Sequence, residues 1–198
     1  MREMTYRQAR HLIDDADLLL FGGRALWPSI PIRWWDNGYR AFDPDRADLG
    51  DWWRWRCWLT LGDWSHSEFA NWDHKDSDPV LESWGSVAGG PRKIALSTLL
   101  DRYGSFGWAP FMGTEQERRL VLAMARRLWR PGAHYPSARQ YLRTALRRIY
   151  CEKVDCDPAG FVCHEWVGTC HRLYQPAGLS ATDLIGCGRF GAVTRIVK

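Results

Sequence analysis

Trp64-Ser65-His66-Ser67-Glu68-Phe69-Ala70-Asn71-Trp72, and then Val80-Leu81-Glu82-Ser83-Trp84 after the polar turn Asp73–Pro79, are the two stretches that decide how this chain folds. Both read as strands, Ser65–Trp72 and Val80–Trp84, joined by that turn. In the first, alternate residues share a face, so His66 projects with Trp64 and Glu68. An antiparallel pairing can hold Glu82 opposite His66. A carboxylate there would fix the tautomer of an imidazole and stabilise its charged form. Taken alone, His66 is a hydrogen-bonded strand histidine and Glu82 a surface carboxylate; a chemical role requires a third group.

That group is a thiol. Cys163 sits in Phe161-Val162-Cys163-His164-Glu165-Trp166-Val167, behind the loop Asp157-Pro158-Ala159-Gly160, and falls in the opening turn of a helix expected over Gly160–Leu173. A helix N-terminus with a histidine nearby stabilises a thiolate. Cys170 lies two turns deeper, where the helix dipole no longer helps. Cys151 and Cys156 belong to a connecting loop, Cys57 to a Trp-rich stretch, and Cys187 sits beside glycines.

The rest of the chain supplies a frame for these segments. Leu18–Phe21, after the acidic lead Asp14–Asp17, is a short buried strand stopped by Gly22-Gly23. Ser97–Tyr103 is a short helix with Leu96, Leu99, Leu100 and Tyr103 on one face. Thr114, followed by Glu115, Gln116 and Glu117, caps a helix. Its apolar stripe is Leu120, Val121, Met124, Leu128 and Trp129, and Pro131-Gly132 stops it. Ser137–Tyr150 is a further helical stretch with a basic outer face. The tail after Cys187, with Val193 and Ile196-Val197, closes with a strand. The expectation is an α+β fold over residues 1–198 as one domain, with a few N-terminal strands followed by helices.

Composition bounds the function. With 45% hydrophobic residues the chain is not intrinsically disordered, and no run approaches the 18 apolar residues of a membrane span. A net charge of +4 is a weak pointer to nucleic acid, and the Arg-rich run Arg118–Arg148 reads as the solvated face of helices. No signal peptide is visible in the N-terminal residues, which makes the cytoplasm the expected compartment and free thiols the expected state of the six Cys. Thirteen Trp are the outlying feature, and eight of them fall between Trp27 and Trp64 in a stretch without a clean period. That stretch is expected to be an insertion or extended loop with short helical pieces.

Taken together, these segments resemble the circularly permuted NlpC/P60 papain-like cysteine hydrolases, most closely the YiiX/YebB-like branch. Phe161–Val167 followed by Gly178-Leu179-Ser180 is similar to the family's Cys-bearing helix start. Asp15-Ala16-Asp17-Leu18-Leu19-Leu20-Phe21 is similar to its opening acidic strand, Ser65-His66 to its His strand, and Val80-Leu81-Glu82-Ser83 to its acid strand. Ala95–Tyr103 is similar to the segment that comes next. The order strand, His, acid, helix, Cys is the permuted one. Two positions depart from the pattern: His164 stands where a Ser usually follows the Cys, and Ala16 where the opening motif has Gly. The Trp27–Trp64 stretch is longer than the family requires.

The resemblance implies a papain-like fold in permuted order, with an antiparallel sheet carrying the His and a helix carrying the Cys. It implies Cys163 as nucleophile, His66 as general base and later acid, and Glu82 as the orienting residue, with a backbone N–H at Cys163 in the oxyanion hole. The bonds cleaved would be amide (peptide, isopeptide or cell-wall peptide) or acyl bonds, in a bacterial or phage setting, without a cofactor or metal. Trp64, Ser65, His164 and Trp166 flank the His and the Cys and are the candidate substrate-binding residues. The competing reading is a catalytically inactive relative that binds a ligand or protein in the same groove. Trp34-Trp35 and Trp52–Trp58 would then stack sugars or meet a membrane surface. A zinc site is disfavoured, since Cys163-His164 and Cys170-His171 are about 10 Å apart along a helix and cannot share one ion. Gly186–Gly191 lacks the strand-loop-helix context of a phosphate loop.

Overall fold

The apolar run Leu18-Leu19-Leu20-Phe21 forms the middle strand of a seven-stranded mixed sheet, and its four side chains are fully buried. The computed structural model describes residues 1–22, 33–34, 50–59, 63–75, 77–87, 90–129, 163–173 and 181–198. Its strands are β1 (Arg2–Thr5), β2 (Leu18–Phe21), β3 (His66–Asp73), β4 (Val80–Val87), β5 (Gly90–Ala95), β6 (Ser105–Ala109) and β7 (Thr194–Val197). They lie in the order β1-β7-β6-β2-β3-β4-β5, with β1 and β7 parallel and every other neighbour antiparallel. The described helices are α1 (Tyr6–Ala9), α2 (Gly50–Leu59), α3 (Leu96–Tyr103), α4 (Glu115–Leu128), α5 (Cys163–Cys170) and α6 (Ala181–Gly186). The fold is α+β.

Strand β2 shows why an unbroken apolar run suits the centre of a sheet covered on both sides. Leu18 and Leu20 join a cluster with Phe69, Trp84, Val121, Trp166 and Val167. Leu19 and Phe21 join another with Ala70, Leu96, Leu99, Leu100 and Phe106. Helices α4, α5 and α6 therefore contribute to the first cluster and α3 to the second.

Two helix ends follow from local chemistry. At α4, Glu117 N–H donates to Thr114 Oγ1 at 3.3 Å and Thr114 N–H donates to Glu117 Oε2 at 2.7 Å, a reciprocal capping box. Helix α3 stops at Gly104, whose φ of 77° is cheap for glycine and whose N–H donates to Leu100 O at 2.7 Å. Helix α4 ends at Leu128 with Trp129 as its cap, ahead of the expected stop at Pro131.

A buried carboxylate ties the start of β2 to α4. Asp17, 1% exposed, accepts from Arg118 Nη1 at 2.8 Å, Trp108 Nε1 at 2.8 Å, Phe111 N–H at 2.9 Å and Asp14 N–H at 3.0 Å. Burial raises its pKa, while these donors, Arg118 foremost, oppose the rise. Arg118 also donates to Phe111 O and Asp15 O.

The expected order of strands first and helices afterwards needs correction. Helix α3 falls between β5 and β6, and β7, from the C-terminal tail, is inserted between β1 and β6. The strands Val80–Val87 and Thr194–Val197 agree with those expected, the first extending three residues further. Most of 27–64 lies outside the described residues, as do the expected helix Ser137–Tyr150, Cys151 and Cys156. Within the Trp-rich stretch, α2 leaves Trp52 and Trp55 75% and 65% exposed. Among the described residues no helix is long and apolar enough to cross a membrane.

Candidate active site

His66 opens β3, and Glu68 follows two residues later on the same face of the strand. That spacing lets the carboxylate reach the ring: His66 Nε2 lies 2.8 Å from Glu68 Oε1. Glu68 is fully buried and held from three sides. Arg92 donates to Oε1 through Nη2 at 2.8 Å and Nε at 3.1 Å, and the Ser83 hydroxyl donates to Oε2. Both partners follow from the pleat, since Ser83 pairs with Ala70 and Arg92 with Gly85, across from Glu68. Gly85 is required here because a Cβ at that position would stand 2.3 Å from Glu68 Cγ.

The electrostatics follow the contacts. Burial alone would push the Glu68 carboxyl up, but the hydrogen bond and charge of His66, with Arg92 and Ser83, take it down to about 2. Burial likewise opposes a charged His66. The Cys163 thiolate, through its charge and hydrogen bond, and then Glu68 raise its pKa to about 10. Cys163 is the reciprocal case. Burial works against its thiolate, yet His164 and His66 hold its pKa well below the ordinary thiol value.

Cys163 is the first residue of α5 and is 2% exposed. Its Sγ lies 3.4 Å from His164 Nδ1, and its charge is coupled to that of His66. The His66 side chain is 17% exposed and so brings this buried line of groups to solvent. The contrast with Cys170 is instructive. It belongs to the apolar cluster of Trp166, Val167 and Phe69, and burial drives its pKa far up. His171, seated between Ala16 O and Val167 O at 2.9 Å each, is pushed down to about 4 by burial and is a structural histidine.

Of the expected site residues, Cys163, His66 and His164 come together and Glu82 does not. Glu82 pairs with Asn71 and Ala95, five residues along β3 from His66 and on the other face, where it accepts from Trp84 Nε1 at 2.8 Å. The register of the β3–β4 pair thus corrects the orienting residue from Glu82 to Glu68. Two of the expected substrate-binding residues are also structural. Trp166 has no exposed surface and packs edge-on against Trp129. Ser65 donates from its N–H and hydroxyl to Phe21 O. Trp64 packs over Gly107, where a Cβ would be 2.8 Å from the indole. Glu68 was within reach of sequence reasoning, since it shares a face with His66 at the spacing of one pleat.

Among the described residues no group of three or more His, Cys, Asp or Glu side chains could hold a metal ion. Compared with protein-family models and with curated proteins, the chain matches none. The geometry sets a thiol of lowered pKa beside two imidazoles, one of them held by a buried carboxylate, a residue set suited to nucleophilic chemistry.

Proposed function

We propose that this chain is a cysteine hydrolase of the papain-like type, in the permuted NlpC/P60 order, acting on an amide or acyl bond. The single observation that carries this reading is the grouping of Cys163, His66 and Glu68, in which an imidazole hydrogen-bonded to a buried carboxylate is electrostatically coupled to a thiol of lowered pKa. The chain order of the sheet-borne His and the helix-borne Cys is the one the sequence resemblance implies.

In this mechanism the Cys163 thiolate attacks the carbonyl carbon, forming a C–S bond and placing the charge on the carbonyl oxygen. The Cys163 backbone N–H would donate to that oxygen. The His66 imidazolium then gives its proton to the leaving nitrogen or oxygen as the scissile bond breaks. Water attacks the resulting thioester while His66 takes its proton, and the acid product departs as the thiolate re-forms. Glu68 holds the ring tautomer and stabilises the imidazolium throughout; it does not take the proton.

A second reading, an inactive relative that binds a ligand, draws on the 2% exposure of Cys163. Incubation with cell-wall peptides, isopeptide-linked peptides and acyl lipids separates the two. Turnover that disappears in Cys163→Ala supports the hydrolase, with new amino termini marking amide cleavage and free fatty acid marking acyl cleavage. Binding without turnover, unchanged in Cys163→Ala, supports the alternative.

A further inference from the structure

A second site lies at the far end of β3. Asn71, Trp72, Asp73, His74 and Lys75, together with Trp84, Lys93, Arg126 and Trp129, line a cavity of about 600 Å³, within the range of small-molecule sites. None of His66, Glu68 and Cys163 lines this cavity, which is distinct from the thiol site.

Its lining is unbalanced in charge. Lys75, Lys93 and Arg126 outnumber the one lining carboxylate, Asp73, which is engaged by Lys75 Nζ at 3.3 Å, and Glu82 beside the cavity accepts from Trp84 Nε1 at 2.8 Å. Lys93 stands in register with Trp84, its Nζ 5.8 Å from the indole centroid, and the Arg126 guanidinium lies 5.9 Å from the same centroid. Among the described residues neither cation has a carboxylate partner within ion-pair distance. Two cations against one largely buried indole repel each other, and their attraction to the ring offsets only part of that. An anion between them would relieve the repulsion and gain charge-assisted hydrogen bonds.

The volume exceeds what a bare inorganic ion fills. Its wall beside the cations is aromatic: Trp129 meets Trp84 edge-on at 5.7 Å. We propose that this cavity binds a small organic anion, a phosphate or carboxylate on a ring-bearing body, with the anionic group at Lys93 and Arg126 and the ring against the indoles of Trp129 and Trp84. The proposal is independent of the hydrolase reading and stands whether or not Cys163 is a nucleophile.

Titration of the native protein with phenyl phosphate, followed by the indole N–H signals in NMR, tests it, with benzyl alcohol as the uncharged comparison. Saturable shifts are expected with phenyl phosphate and not with benzyl alcohol. Affinity should fall by about tenfold or more in Lys93→Gln/Arg126→Gln and be retained in Lys93→Arg and in Cys163→Ala. The Lys93→Arg variant keeps the test open if the double variant loses its native spectrum. Absence of saturable phenyl phosphate binding to the native protein overturns the proposal, as does binding undiminished in a folded double variant.

Discussion

Glu68 reaches His66 from two residues further along the same strand, at 2.8 Å, and not from the neighbouring strand. A carboxylate on the same pleat as the imidazole it orients moves with it, so the two keep their geometry under any shift of β4 that leaves β3 intact. Under the proposed mechanism Glu68→Gln should lower turnover by about 10²-fold or more, because the amide can leave the wrong tautomer facing Cys163. Glu82→Gln should change it by less than about twofold. Steady-state kinetics on any substrate that is found decides between the two carboxylates.

Gly85 should be intolerant of any side chain. A methyl group there meets Glu68 Cγ and Cδ at 2.3 and 2.8 Å, so Gly85→Ala displaces the carboxylate that holds His66. Overpacking of this kind costs about 1–3 kcal/mol. Urea denaturation should show that loss, and turnover should fall more than the stability change alone explains.

The Asp17–Arg118 pair predicts the opposite pattern. Asp17→Ala leaves Arg118, 13% exposed, with only the exposed carboxylate of Asp14 at 3.8 Å and strands the Trp108 and Phe111 donors. Removing one partner of a buried pair costs about 3–5 kcal/mol. The expected result is a clear fall in Tm with the reactivity of Cys163 retained below the transition.

Stability should pass through a plateau as pH is raised. The raised pKa of His66, about 10 against an ordinary 6.5, contributes stability fully present below 6.5 and lost as pH climbs through 10. The depressed pKa of Cys163 contributes stability present above its ordinary 9.0 and lost as pH falls toward its folded value. Between 6.5 and 9.0 the two slopes oppose each other, so stability should be nearly flat there and decline on both sides. Glu68, lowered to about 2 from 4.5, adds a further loss at the acid end. Thermal melts from about pH 5 to about pH 11 on the native protein and Cys163→Ala check this, the variant losing the part of the curve that belongs to the pair.

Much of this was legible in the sequence where the signal is local. The run Leu18–Phe21 could only be a strand covered on both sides, and Thr114 with Glu117 announced a capped helix because both partners lie within one turn. Cys163 and His66 stood out for their placement at a helix start and on a strand. What failed was register, which depends on which residues face each other across the β3–β4 turn and cannot be fixed by the turn's length alone. That error moved the orienting role to Glu82. Strand β5 went unrecognised because Gly90-Pro91-Arg92-Lys93 carries no alternation, and an edge strand needs none on its outer side. Strand β6 was hidden by Gly107, which is small because Trp64 packs on it from a distant part of the chain.

The thiolate–imidazolium pair is the centre of this account, and the pH dependence of Cys163 alkylation tests it most directly. Native protein is treated with iodoacetamide from about pH 5 to about pH 8, and modification of Cys163 and Cys170 is followed by peptide mass spectrometry. Cys163 is expected to react well below the ordinary thiol value of 9.0 and faster than Cys170 throughout this range, Cys170 staying unmodified until the protein is unfolded, and His66→Gln is expected to shift the Cys163 reaction toward higher pH. A Cys163 rate that rises about tenfold per pH unit in the native protein, or that never exceeds that of Cys170, would contradict it.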